Sequence, residues 1–101
     1  MNERPYEFQW DEHKAIANEN KHGVTFNLAS SIFYDPNLLT VADVEHSETE
    51  ERWFSVGTAA NGVLLSLVYL WSDADAAAIK IRLISARKAT PAECRQYEEV
   101  L

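Results

Sequence analysis

The chain has 101 residues, 47% apolar and 25% charged, with a formal net charge of -7. So short a chain can build one core and hence one domain over residues 1–101, and this composition excludes a disordered tail. The acid excess argues against nucleic-acid binding over the whole surface, but a polyanion responds to the local field. Four cations, Lys80, Arg82, Arg87 and Lys88, fall within residues 79–90.

Tyr6, Phe8 and Trp10 alternate with polar neighbours and can form a short first strand. Asp11 offers an N-cap for a helix through about Lys21, ended by Gly23. Lys14, Asn18, Lys21 and His22 share one face of that helix. Thr25 caps a second helix to about Tyr34, with Phe26, Ala29, Ile32 and Phe33 as its apolar stripe, and Asp35-Pro36 stops it.

The period then becomes that of strands. Residues 38–42 are a short strand, 43–51 an acidic loop, and 52–58 a strand with Phe54 and Val56 on one side. Asn61-Gly62 predicts a hairpin with a tight type I′ turn. The segment 63–71 is apolar on both faces, which predicts a central strand. A polar connection, 72–77, leads to the cationic strand 78–86. Thr90, Pro91 and Glu93 then announce a last helix to about Val100. The expected fold is α+β: two N-terminal helices on a mostly antiparallel sheet of about four strands, with a closing C-terminal helix.

Cys94 has no partner for an internal disulfide, and no positively charged leader followed by an apolar run opens the sequence, so a cytoplasmic protein is expected. The apolar run 63–71 is too short for a membrane-spanning helix. His46, Glu48, Glu50 and Glu51 lack the fixed ligand spacing of a zinc or calcium site. No metal and no cofactor is expected.

The segments W-D-x-x-K-x-x-x-N-x-x-K-H-G-V at 10–24 and I-S-A-R-K-A-T at 84–90 resemble the BrnT family of toxins from type II toxin-antitoxin systems. So do "EERWFSVG" and the "ECRQYEE" that closes the match, which spans about residues 8–99. The resemblance implies a RelE-like fold and a ribonuclease that arrests translation. It also implies a ribbon-helix-helix antitoxin of the BrnA type, through which alone the complex reaches operator DNA. The chain departs from the family pattern at Val63, where many relatives carry a basic residue, and in its longer, acidic 72–77 connection.

Metal-free RNA cleavage needs a base for the 2′-OH, cations around the phosphorane and an acid for the departing 5′-oxygen. Arg52 and Arg87 are placed on the phosphate, since a guanidinium fork holds two oxygens at once. Glu51 or His22 is the candidate base. Lys21, Arg82 and Lys88 would guide the RNA backbone, and Tyr97 either packs the last helix on the sheet or stacks on a base. Regular alternation puts Arg87 on the side of Ile79, Ile81 and Leu83, opposite Lys80, Arg82 and Lys88, unless a bulge near Ser85 intervenes. The alternative function is a binding module of the same fold that pairs with the antitoxin but has weakened or lost nuclease activity.

Overall fold

A computed structural model describes residues 4–42 and 52–101. The order is β1 (Tyr6–Gln9), α1 (Glu12–His22), α2 (Phe26–Ser30), a 3-10 turn (Ser31–Tyr34), β2 (Leu39–Ala42), β3 (Arg52–Thr58), β4 (Leu64–Ser72), β5 (Ile79–Lys88) and α3 (Pro91–Glu99). The five strands form one mixed sheet in the order β1-β5-β4-β3-β2. The sheet is mostly antiparallel as expected, but the expected count of about four strands is corrected to five. β1 adds a fifth, parallel to β5, and all other neighbours run antiparallel. The apolar β4 takes the centre, as its two-sided pattern requires.

One sheet face carries the core. Leu65, Leu67, Tyr69, Ile81, Leu83 and Ala86 pack against Val24, Phe26, Ala29, Ile32 and Phe33 from the segment following α1. Each large side chain sealed here stabilises the fold by about 1.5–3 kcal/mol relative to exposure. Gly57 lies on this face because a Cβ there would meet Leu38 Cδ1 at 2.7 Å and Ile32 Cβ at 3.0 Å. Glycine lets the 3-10 turn rest directly on β3.

The expected second helix is α-helical only through Ser30. The Ser30 and Ser31 hydroxyls donate to the carbonyls of Asn27 and Leu28, competing with the helix ladder just where it tightens to 3-10. The hairpin forms at Asn61-Gly62, but not with a type I′ turn. Of these two residues only Gly62 has positive φ, at 84°. Its N–H donates to the Ala59 carbonyl while the Ala59 N–H donates to the Val63 carbonyl, the pattern of a three-residue loop that needs a left-handed residue only at its end.

α1 lies along β5 beyond the end of β1. There the buried Asn18 side chain replaces a strand: its amide nitrogen donates to the Ala86 and Val24 carbonyls at 2.8 and 3.0 Å, and its oxygen accepts the Ala86 N–H at 3.0 Å. Asp11 caps the start of α1, and Gly23, with φ 69°, ends it. α3 covers one end of the opposite sheet face, held by a complete Thr90–Glu93 capping box.

Candidate nucleic-acid interface

The register of β5 decides which cations meet. Tyr69 pairs with Leu83, but Val68 pairs with Ser85, so Ile84 is an extra residue on β5. This bulge resets the alternation. Lys80, Arg82, Ser85 and Arg87 all fall on the face away from the core, opposite Ser72, Leu70, Val68 and Ser66, while Lys88 pairs with Leu65 and turns to the helix side. Regular alternation, which grouped Lys88 with Arg82 and set Arg87 apart, is thereby corrected at both positions.

Arg52 also pairs with Leu70. Arg52 and Arg82 therefore flank Leu70 on the same face, two strand spacings or about 9.6 Å apart at the backbone, close enough for long side chains to converge on one phosphate. Beside them a shallow cavity of about 180 Å³ is lined by Gln9, Leu70, Ser72, Lys80 and Arg82. Arg82 is exposed and has no carboxylate partner among the described residues, whereas Lys80 stands 3.6 Å from Asp75.

A second cationic surface adjoins this one at the bulge. Ile84 and Ser85 form one wall of a groove of about 210 Å³, and Lys14, Ala17, Asn18, Lys21 and His22 form the α1 wall. The shared helix face, read from spacing, is the sequence signal that points here. What spacing lacks is the strand opposite, so Ser85 joins the site only in three dimensions. His22 also lies in the last turn of α1, where positive charge suits the helix dipole.

Other candidates do not join this surface. The bulge brings Arg87 onto the face of Arg82, but its fork is occupied: Nη1 and Nη2 lie 2.7 and 2.9 Å from the two Glu93 oxygens. Glu93 also accepts the Ser66 hydroxyl at 2.7 Å and the Thr90 N–H at 2.9 Å. The Arg87 bond, aided by these two, holds the Glu93 carboxyl at about 2, and Glu93 in turn raises the Arg87 pKa. Arg52 and Arg87 stand on the same face but are separated by two strands and by four residues along the strand direction.

Tyr97 is buried, with its hydroxyl donating to Asp35 at 2.6 Å. Of the two roles open to it, the geometry is that of packing α3 on the sheet. Burial tends to raise the Asp35 carboxyl, but hydrogen bonds from the Thr58 N–H, Tyr97 and the Asn37 N–H outweigh it and hold the group low. Glu51, the other candidate base, and His46, Glu48 and Glu50 lie outside the described residues.

A family model described as "Ribonuclease toxin, BrnT, of type II toxin-antitoxin system" matches residues 10–93. The chain belongs to the BrnT family. The matched span takes in α1, the bulge, and both Arg52 and Arg82. BrnT proteins are ribonuclease toxins, and membership of a type II toxin-antitoxin system implies an antitoxin partner. No curated protein matches the chain. Among the described residues, no helix of this BrnT chain is long and apolar enough to cross a membrane.

Proposed function

We infer that the chain is an endoribonuclease that cuts RNA without a metal and so inhibits translation. Its site runs from the Arg52–Arg82 face across the Ile84 bulge into the α1 groove. The observation that carries this is the bulge itself, since it joins two cationic surfaces along one strand. An RNA phosphate sits between Arg52 and Arg82, whose forks neutralise the charge that builds up on the phosphorane. His22 in the groove is the candidate for moving protons, in keeping with the side chain best suited to both directions near neutral pH. A base takes the 2′-OH proton, the 2′-oxygen bonds to phosphorus, and the bond to the 5′-oxygen breaks as that oxygen is protonated. The products are a 2′,3′-cyclic phosphate and a 5′-hydroxyl.

The partner proposed is a ribbon-helix-helix antitoxin, which alone contacts operator DNA. A net charge of -7 complements a basic antitoxin and speeds encounter, so association should slow as salt rises. The site of action is the cytoplasm, and the fold is of the RelE type.

A specific observation favours the second reading, a binding module with weakened activity. Arg87 is engaged by Glu93 and Lys88 is turned to the other face, which leaves fewer cations for RNA. One experiment separates the two. Antitoxin-free protein is mixed with end-labelled RNA in EDTA, and the new ends are identified by mass spectrometry. Cleavage to cyclic-phosphate ends, reduced about 100-fold or more in His22→Ala, supports the nuclease. Intact RNA and no growth arrest on expression would leave only the binding module, and activity lost in EDTA would sink the metal-free mechanism.

A further inference from the structure

Phe54 stands apart from the other aromatic residues. Tyr6, Phe8, Trp10, Phe26, Phe33, Tyr34, Tyr69 and Trp71 make ring contacts with one another on the helix side. Trp53 packs against the same core, and Tyr97 is tied to Asp35. Phe54 pairs with Val68 and with Val41, on the opposite face. It belongs neither to the core cluster nor to the residues packed against it, and it makes no ring contact among the described residues. Its ring is half-buried, and Val41 beside it is 53% exposed.

The position of this ring relative to the arginines suggests its use. Phe54 lies two residues along β3 from Arg52, about 6.7 Å, and Val68 lies two residues from Leu70, which Arg52 and Arg82 flank. An apolar row, Val41-Phe54-Val68, thus runs beside a row carrying two guanidinium groups. α3 reaches the next row beyond it, where Glu93 bonds Ser66. The offset is within the reach of one nucleotide from its phosphate to its base. The exposed Arg82 on one side and an apolar ring on the other match a single-stranded polyanion with flat apolar bases better than they match a peptide, which would bring no charge for Arg82 unless acidic.

We propose that Phe54 is the stacking platform for an unpaired RNA base whose phosphate is held by Arg52 and Arg82. This rests on the ribonuclease reading and adds how the strand is oriented: bases over β3 and β4 toward α3, backbone over the arginine row. Stacking is indifferent to base identity, because every base has a π-face, so Phe54 contributes affinity and positioning rather than a strict sequence preference.

The test uses the full chain and a short 2′-O-methyl RNA, which cannot undergo 2′-OH attack, with 2-aminopurine at successive positions. At one position binding should quench the fluorophore strongly. In Phe54→Leu, which keeps an apolar side chain there, that quenching should vanish and affinity fall about tenfold, with the salt dependence unchanged. In Arg82→Ala the quenching should persist at saturation, while the slope of log affinity against log salt falls by about 0.7 for the lost contact. Absence of quenching in the wild type despite tight, salt-dependent binding overturns the stacking proposal and leaves the ribonuclease reading intact. Unchanged RNA affinity in Phe54→Leu alongside weakened antitoxin binding also overturns it, and assigns the row to the protein partner. Failure of the wild type to bind RNA at all overturns both.

Discussion

Arg52 and Arg82 stand on one face of the sheet with Leu70 between them, whereas Arg87, on the same face as both, is clamped in a two-pronged bond to Glu93. Residue type does not distinguish Arg82 from Arg87, but the exposure of the one and the Glu93 clamp on the other do. Removing Arg82 takes away an exposed cation and should cost within about 0.5 kcal/mol of stability. RNA affinity should nevertheless fall. Removing Arg87 leaves a partly buried carboxylate without its main partner, and Arg87→Ala should cost about 1–3 kcal/mol in stability. Urea denaturation and RNA titration on both variants check the pair. Loss of RNA binding in a fully stable Arg87→Ala would return Arg87 to the phosphate.

Glu93 also sets an acid limit. Its carboxyl is held at about 2 against an ordinary 4.5, chiefly by Arg87. A depressed carboxyl contributes stability that is whole above the unfolded value and is lost as pH falls through the folded one. The loss should therefore run from about pH 4.5 down toward 2. Arg87 is 37% exposed, so solvent screening reduces the effect to about 1–2 kcal/mol. Thermal melting across this range should show a steeper decline in the wild type than in Glu93→Gln. Parallel curves for the two proteins would remove Glu93 from the acid response.

Asn18 offers a sharper stability test. Its side chain supplies both a donor and an acceptor to the backbone of Ala86 and a second donation to Val24, all in buried positions. In Asn18→Leu these groups lose their partners and keep their burial, at a cost of about 2–4 kcal/mol. Asn18→Asp preserves only the acceptor and should be nearly as harmful. A loss in either variant below 1 kcal/mol, measured by urea denaturation, would mean that water reaches the end of β5.

Helix caps and strand periods were legible in the sequence because their causes are local. Asp11, Thr25 and Thr90 each cap the helix that their residue type predicts, and the apolar β4 is central. The parallel pairing of β1 with β5 joins residues more than 70 positions apart, and no local pattern encodes such a partner. The bulge is only half legible: Ile84-Ser85-Ala86 interrupts the alternation, yet periodicity alone does not say which residue is extra. Likewise, Glu93 is visible as a capping residue from Thr90-Pro91-Ala92-Glu93, but its second role needs Arg87 and Ser66 brought beside it by the hairpin and the turn into α3. The site was harder to read than the fold for this reason, since each of its pairings crosses between elements.

The Asp35–Tyr97 bond should be measurable as a coupling. Asp35 follows the 3-10 turn, accepts the Thr58 N–H at 2.8 Å and the Tyr97 hydroxyl at 2.6 Å, and so ties that turn, the end of β3 and α3 together. Hydrogen bonds to a charged acceptor contribute about 1.5–3 kcal/mol, which sets the expected loss in Tyr97→Phe. Asp35→Asn should cost more, because the Thr58 and Asn37 N–H groups lose their charged acceptor as well. Since the two side chains share one bond, the double variant should be more stable than the sum of the single losses implies, by about 1 kcal/mol or more. Strict additivity in urea denaturation would mean that the hydroxyl and the carboxylate do not interact in solution, and α3 would then owe its docking to Glu93 and the burial of the Tyr97 ring.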